Sequence, residues 1–222
     1  NKVHVLLEKP MTESVSEARK LNVIAKKNRC VLQIGHLEQF NPAIRKLKSQ
    51  LKAPEFIEVH RLCEFNPRAT DVDVVLDLMI HDIDIVLSLI DKNIKKISVS
   101  GKKVITNLID IANVRMEFDD NVVANLTASR ISTKNERKMR IFLKNAYYSV
   151  DFMSNELKRL MKNKNNSFKT TSFQFKKSDS LNEEIKNFIN TCHGREKSMT
   201  TGECGLKALI IAKKITRNLS KK

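Results

Sequence analysis

The sequence predicts an α/β chain of the α+β kind, in which one βαβ unit is followed by an open, mainly antiparallel sheet with helices on one face. Three patterns carry that prediction. An apolar run, an amphipathic stretch and a second apolar run occupy about the first 35 residues, in strand, helix, strand order. Beyond them, several segments alternate polar with apolar residues, the mark of half-buried strands. The chain closes on two amphipathic stretches of helical period.

In order, Val3-His-Val5-Leu-Leu7 stops abruptly at Glu8-Lys9-Pro10, as a buried parallel strand stops at its carboxyl edge. Ser14 to Lys27 places apolar residues at Val15, Ala18, Leu21, Val23, Ile24 and Ala25, a helix that Ser14 or Thr12 can cap. Val31 to Gly35 reads as the second strand. Asn41-Pro42 opens a helix to Leu51 with proline in its first turn, where a missing N–H costs nothing. Phe56 to Leu62 alternates like a strand, and the pattern from Val74 to Ile90 predicts one regular, largely buried helix. Strands follow at Ile97–Val99, Ala112–Phe118, Val122–Thr127, Met139–Leu143 and Tyr147–Phe152, with Asp119-Asp-Asn121 and Lys144-Asn-Ala146 at hairpin positions. Leu181 to His193 and Glu203 to Leu219 are the closing helices, the second capped by Thr200, Thr201 or Gly202.

A chain of 222 residues with 41% hydrophobic content can bury a sizeable core. No apolar run reaches the roughly 18 residues of a membrane span, and the amino terminus has no basic-then-apolar signal pattern, so a cytoplasmic protein without membrane contact is expected. Cys30, Cys63, Cys192 and Cys204 are too scattered for a metal site or a disulfide framework. The net charge of +16 raises the question of nucleic acid. With 29 lysines against 12 arginines spread along the chain, and aromatics at only 5%, a solvated lysine-rich surface is the better reading.

Two places could carry chemistry. Lys9 stands at a strand end between a carboxylate and a proline, where an ammonium can hold an alcohol or ketone oxygen; the bland reading is a surface-loop lysine. Asp77 and His81 lie four residues apart on the buried helix, so they share a face. A carboxylate near an imidazole can fix its tautomer and raise its basicity, as a general base requires. The bland alternative is a histidine satisfied by backbone, with Asp82 and Asp84 facing solvent.

Glu8-Lys9-Pro10, Gly35-His36-Leu-Glu38-Gln39-Phe40-Asn41-Pro42 and Asp77-x-x-x-His81, in that order, resemble the motifs of the glucose–fructose oxidoreductase and inositol dehydrogenase family. The resemblance implies a carboxyl-terminal remnant of a dinucleotide-binding Rossmann domain over residues 1–40, and a substrate and oligomerisation domain over 41–222. It implies hydride exchange between NAD or NADP and a sugar-like alcohol, with Lys9, Asp77 and His81 catalytic. Glu8, Lys9, Pro10, His36 and Gln39 would then meet the cofactor, and Arg61, Arg68, Asn125 and Arg130 the substrate. The stretches His60 to Arg68 and Val123 to Arg130 are similar to the branch that oxidises the 3-hydroxyl of UDP-N-acetylglucosamine. A homo-oligomer formed through the sheet is expected, and nucleic acid is not an expected partner.

Two departures qualify the likeness. Gln39 stands where that branch usually carries arginine, which removes a fixed positive charge. The glycines at 35, 101, 194, 202 and 205 cannot make the GxGxxG turn that cradles a pyrophosphate. The expectation is therefore a chain inactive without that segment. The rival expectation is a non-catalytic oligomerisation or regulatory domain of the same ancestry.

Overall fold

The structure, a computed structural model, describes residues 2–67, 71–176 and 179–220. It opens with β1 (Val5–Leu7), α1 (Val15–Lys27) and β2 (Leu32–Ile34), and the two strands pair in parallel, Val5 opposite Leu32 and Leu7 opposite Ile34. A capping box starts α1: Ser14 Oγ accepts from the Glu17 N–H at 3.2 Å, and the Glu17 carboxylate accepts from the Ser14 N–H at 3.0 Å. Gly35 lies just past β2, where a Cβ would come within 2.9 Å of Glu8 Oε2 and 3.3 Å of Glu8 Cα. Only glycine lets the carboxyl ends of the two strands approach this closely, and that approach sets the turn carrying Glu8 and Lys9. The Lys9–Pro10 peptide is cis.

After a 3-10 turn at Leu37–Phe40, Asn41 caps α2 (Pro42–Gln50) by accepting the Ala43 N–H at 2.9 Å. The large sheet contains β3 (Phe56–Leu62), β4 (Ile94–Lys102), β5 (Ile111–Phe118), β6 (Val123–Ser129), β7 (Glu136–Leu143), β8 (Ala146–Asp151), β9 (Glu156–Lys162) and β10 (Phe168–Gln174). Their order is β10-β9-β8-β7-β3-β6-β5-β4. Every neighbouring pair is antiparallel except β3 with β6. Two of the turns use the expected chemistry: Asp120 and Asn121 take φ of 54° and 58°, the left-handed region that these residues tolerate, and Lys144-Asn145 joins β7 to β8.

Side chains alternate across the sheet, and one phase is the core. Ile57 and Val59, Val114 and Met116, Ala124 and Leu126, Met139 and Ile141, and Val150 are all buried. The covering layer consists of α2 over β8 and β9, a helix that begins as a π turn at Val75–Met79 against β6 and continues as α3 (Ile80–Leu89), and α5 (Gly202–Leu219) over β4. α5 also packs on α3, α1 and β2, and α4 (Ser180–Cys192) lies by the 3-10 turn. The last helix thus joins the βαβ unit to the sheet. Gly205 allows this, since a Cβ there would sit 2.6 Å from Ile34 Cγ1.

The opposite sheet face is chiefly charged. Arg140 pairs with Glu58 at 2.9 Å, and His60 lies 3.3 Å from Glu58 and 3.5 Å from Glu136. Phe56, Phe142 and Tyr147 form its aromatic corner. The sequence pattern does not announce β9 and β10. They form the outer hairpin, where Leu157 is the only residue of the two strands that is fully buried, so the ladder rather than an apolar stripe defines them. The four cysteines are free, and no helix among the described residues is long and apolar enough to cross a membrane.

One core residue is out of character. Glu184 of α4 is 0% exposed, and neither carboxylate oxygen has a hydrogen-bond partner among the described residues. Burial, and then the neighbouring Glu8 charge, push its pKa from 4.5 to about 7. Because the folded-state value is raised, the protonated carboxyl contributes stability at low pH that is lost as pH rises through about 7. Glu184→Gln cannot ionise and should be more stable than the parent above neutrality by about 1–2 kcal/mol, the gap closing toward about pH 5. Urea unfolding of both proteins across that range tests this, and a gap that stays constant with pH would contradict it.

Candidate active site

The site lies where the carboxyl edge of β1 faces the start of the covering helix. Asp73 begins that helix by accepting the Val75 and Leu76 N–H groups at 2.9 and 3.0 Å, while Thr216 of α5 donates to its other oxygen at 3.1 Å. The first turn is π rather than α, with the Ile80 N–H reaching back five residues to the Val75 carbonyl. A regular helix over Val74–Ile90 is therefore corrected at its first turn, since an inserted residue leaves no mark on an apolar pattern this dense. π turns widen a helix and recur at functional sites. Here the widened turn carries Asp77, whose carbonyl accepts from Lys9 Nζ at 2.7 Å while its carboxylate lies 3.5 Å from the same ammonium. Lysine and aspartate come together across 68 positions of sequence, each side chain about one-fifth exposed.

His81 follows on the first turn of α3. Its Nδ1 is buried with no hydrogen-bond partner among the described residues, and so is that of His36. The two rings meet edge to face, centroids 6.4 Å apart at 88°. Burial, and then the cations Arg61 and Lys9, hold the His81 pKa well below its ordinary 6.5. Burial likewise lowers that of His36, against the opposing charge of Asp84. Both imidazoles are neutral at neutral pH, with lone pairs available.

Asp82 and Asp84 do not face solvent. Asp82 is 1% exposed and accepts two hydrogen bonds from Arg61, Nε at 2.9 Å and Nη2 at 2.8 Å, while Arg61 Nη1 donates to Glu38 at 3.0 Å. Burial opposes the Arg61 charge, but Asp82 and then Glu38 outweigh it and raise its pKa; burial raises that of Asp82. Arg61 is thus spent within the protein and has no donor fork to offer a substrate. A signal for this existed in the sequence, because Arg61 falls on the same strand phase as buried Ile57 and Val59, and an arginine there needs buried carboxylates.

The remaining expected contacts divide. Gln39 is buried, donating to Asp84 and to Ser88 at 3.3 Å while accepting from Lys48, so its amide is turned into the protein rather than toward a ligand. Lys48 thus brings a positive charge against the Gln39 amide. Glu8 is exposed beside Gly35, and Pro10 is half-buried at the same edge. Arg130 is buried and structural, with Nη2 donating to the Val72 carbonyl at 2.5 Å and Nε 4.0 Å from Asp110. Asn125 stands on the charged face of the sheet, accepting from Arg115 at 3.4 Å, with the whole sheet between it and His81. Arg68 lies outside the described residues. Sequence reasoning passed over Cys63, whose thiol is pushed up by burial and by nearby Asp77, and over Arg137, whose charge reaches His81, Asp82 and Cys63.

A strand-edge lysine, an aspartate and a neutral histidine are thus gathered beside the βαβ unit. Residues 1–36 match the oxidoreductase family with an NAD-binding Rossmann fold, and residues 53–149 match the GFO/IDH/MocA C-terminal domain. UDP-N-acetylglucosamine 3-dehydrogenase from Acidithiobacillus ferrooxidans is 35% identical over 95% of this chain and 69% of its own length. Its solved structure superposes with a TM-score of 0.92, at 34% identity over 98% of this chain and 71% of that one. An oxidoreductase domain protein from Kribbella flavida shares the fold at a TM-score of 0.87, with 14% identity over 98% and 72% of the two chains. The chain belongs to the GFO/IDH/MocA oxidoreductase family.

Truncating one partner of a buried ion pair leaves a charge without compensation. Asp82→Ala should therefore lower unfolding stability by about 3–5 kcal/mol, and the joint change of Asp82 and Arg61 to apolar residues of similar volume should recover much of it. Denaturant titration of the three proteins checks this; a loss below about 1 kcal/mol in the single variant would remove the triad from its role.

Proposed function

We propose that this chain carries the proton-handling half of a nicotinamide-dependent dehydrogenase acting on a nucleotide-sugar hydroxyl, the 3-hydroxyl of UDP-N-acetylglucosamine being the favoured substrate. The observation that carries the proposal is the convergence of Lys9 Nζ and Asp77, 68 residues apart, beside the neutral imidazole of His81. The 35% identity to a relative of that name supports the substrate class.

In this reading His81 accepts the hydroxyl proton. Its lowered pKa keeps the lone pair free at neutral pH. Lys9 donates a hydrogen bond to the same oxygen and stabilises the alkoxide as it develops, and Asp77 aims the ammonium through both its carbonyl and its carboxylate. Bound NAD or NADP would take up the hydride that leaves the carbon. Glu8, Lys9 and His36 are the residues that would hold its nicotinamide end; the unpartnered Nδ1 of His36 fits a polar group arriving there. No glycine-rich phosphate turn lies within the 222 residues, so activity in this reading depends on joining such a segment.

A second role, contact between copies through the open sheet face, is favoured by the aromatic corner of Phe56, Phe142 and Tyr147 amid ion pairs. A monomer by sedimentation at micromolar concentration would remove it.

The central test joins the chain to the glycine-rich segment of the 35%-identical relative and follows reduced nicotinamide with UDP-N-acetylglucosamine. His81→Ala should lower kcat about 10²- to 10⁴-fold, the ordinary contribution of general base catalysis, with little change in KM. The acid limb of the parent's kcat profile should fall below pH 6.5, because protonation of His81 is what abolishes turnover. A fully active His81→Ala variant, or an acid limb above that value, would overturn the assignment.

A further inference from the structure

Three carboxylates at the site have cationic partners. Asp77 has Lys9, and Asp82 and Glu38 share Arg61. Arg137 is different. It stands on β7 directly opposite Arg61 on β3, and neighbours across a sheet share a face, so both belong to the helix-covered phase with Met139 and Ile141. Arg61 is buried, whereas Arg137 is exposed. No carboxylate among the described residues lies within ion-pair distance of Arg137, and the sequence places no Asp or Glu at 68–70 or 177–178. Its charge reaches the site, adding to the lowering of the His81 pKa and partly opposing the rise at Cys63 and Asp82 that burial causes.

Two like-charged arginines directly opposite each other repel. Asp82 and Glu38 hold Arg61, whereas Arg137 keeps its guanidinium exposed on the helix-covered side of β7 with no carboxylate partner among the described residues. A guanidinium fork suits a phosphate bidentately, in a way a lysine does not. We infer that Arg137 is the anion-recognising residue of this site and receives the diphosphate of a nucleotide sugar whose oxidised hydroxyl lies at His81. This rests on the nucleotide-sugar reading above and makes it more specific. A pyranose ring separates the reacting hydroxyl from the anomeric phosphate, and Arg137 lies one strand out from Arg61, itself bonded to the residue after His81.

Binding measurements on the 222-residue chain test this without turnover, by calorimetric titration of UDP-N-acetylglucosamine, UDP and free N-acetylglucosamine into parent, Arg137→Gln and Arg137→Lys. Loss of a charge-assisted fork should weaken UDP and the UDP-sugar about 10- to 100-fold in Arg137→Gln, less in Arg137→Lys, and leave free N-acetylglucosamine unchanged. Imidazole NMR of Arg137→Gln without ligand should show the His81 pKa raised, since a lowering charge has been removed. Equal affinity of parent and Arg137→Gln for the UDP-sugar would overturn the Arg137 assignment while sparing the substrate class. Failure of the parent to bind either UDP compound would overturn both.

Discussion

The buried triad of Glu38, Arg61 and Asp82 is the constraint on which the rest of the site depends. Its members come from the 3-10 turn that follows the βαβ unit, from the central strand β3, and from the first turn of α3. Each would be costly to bury alone, and the three together satisfy one another. The triad therefore ties the turn after the βαβ unit to β3 and to the first turn of α3, where His81 precedes Asp82. Within it, the Arg61 guanidinium adds to burial in lowering the His81 pKa.

The electrostatics of the pocket follow from this arrangement. Lys9, Arg61 and Arg137 act in the same direction on the proton affinity of His81. Such a field resists protonation of the imidazole in the resting protein and favours any oxygen that becomes negative nearby. A second polar line, Lys48 to Gln39 to Asp84, approaches from α2 and ends 4.0 Å from His36 Nε2. Gln39 thus couples a lysine to an aspartate.

Much of this architecture was legible in the residues. Periodicity located β1, α1, β2, α2 and the strands from β3 to β8 within a few positions, because each buries one defined face, and the cap at Ser14 and the turns at 119–121 and 144–145 follow from side-chain chemistry. Three separated motifs pointed to Lys9, Asp77 and His81. What escaped had no local signature. β9 and β10 are edge strands with little to bury. The π turn changes hydrogen bonding without changing the pattern of apolar residues, and the engagement of Arg61, Arg130 and Gln39 depends on partners 21 to 58 positions distant. The face on which Asn125 lies has no local signature either: alternation gives two faces to every strand, and only the neighbouring strands reveal which face meets the helices.

The single parallel pairing in the large sheet bears on how the chain reaches its native state. β3 can dock on β6 only after the π turn, α3, β4 and β5 have been spanned, whereas β7 to β10 can assemble as successive hairpins. Loop closure over such a distance is entropically unfavourable until the covering helices contribute their apolar contacts. Lys9 and Asp77 meet across 68 positions, so no local segment can bring them together. A chain with its local helices and hairpins formed but β3 not yet docked on β6 would still lack the Lys9–Asp77 contact.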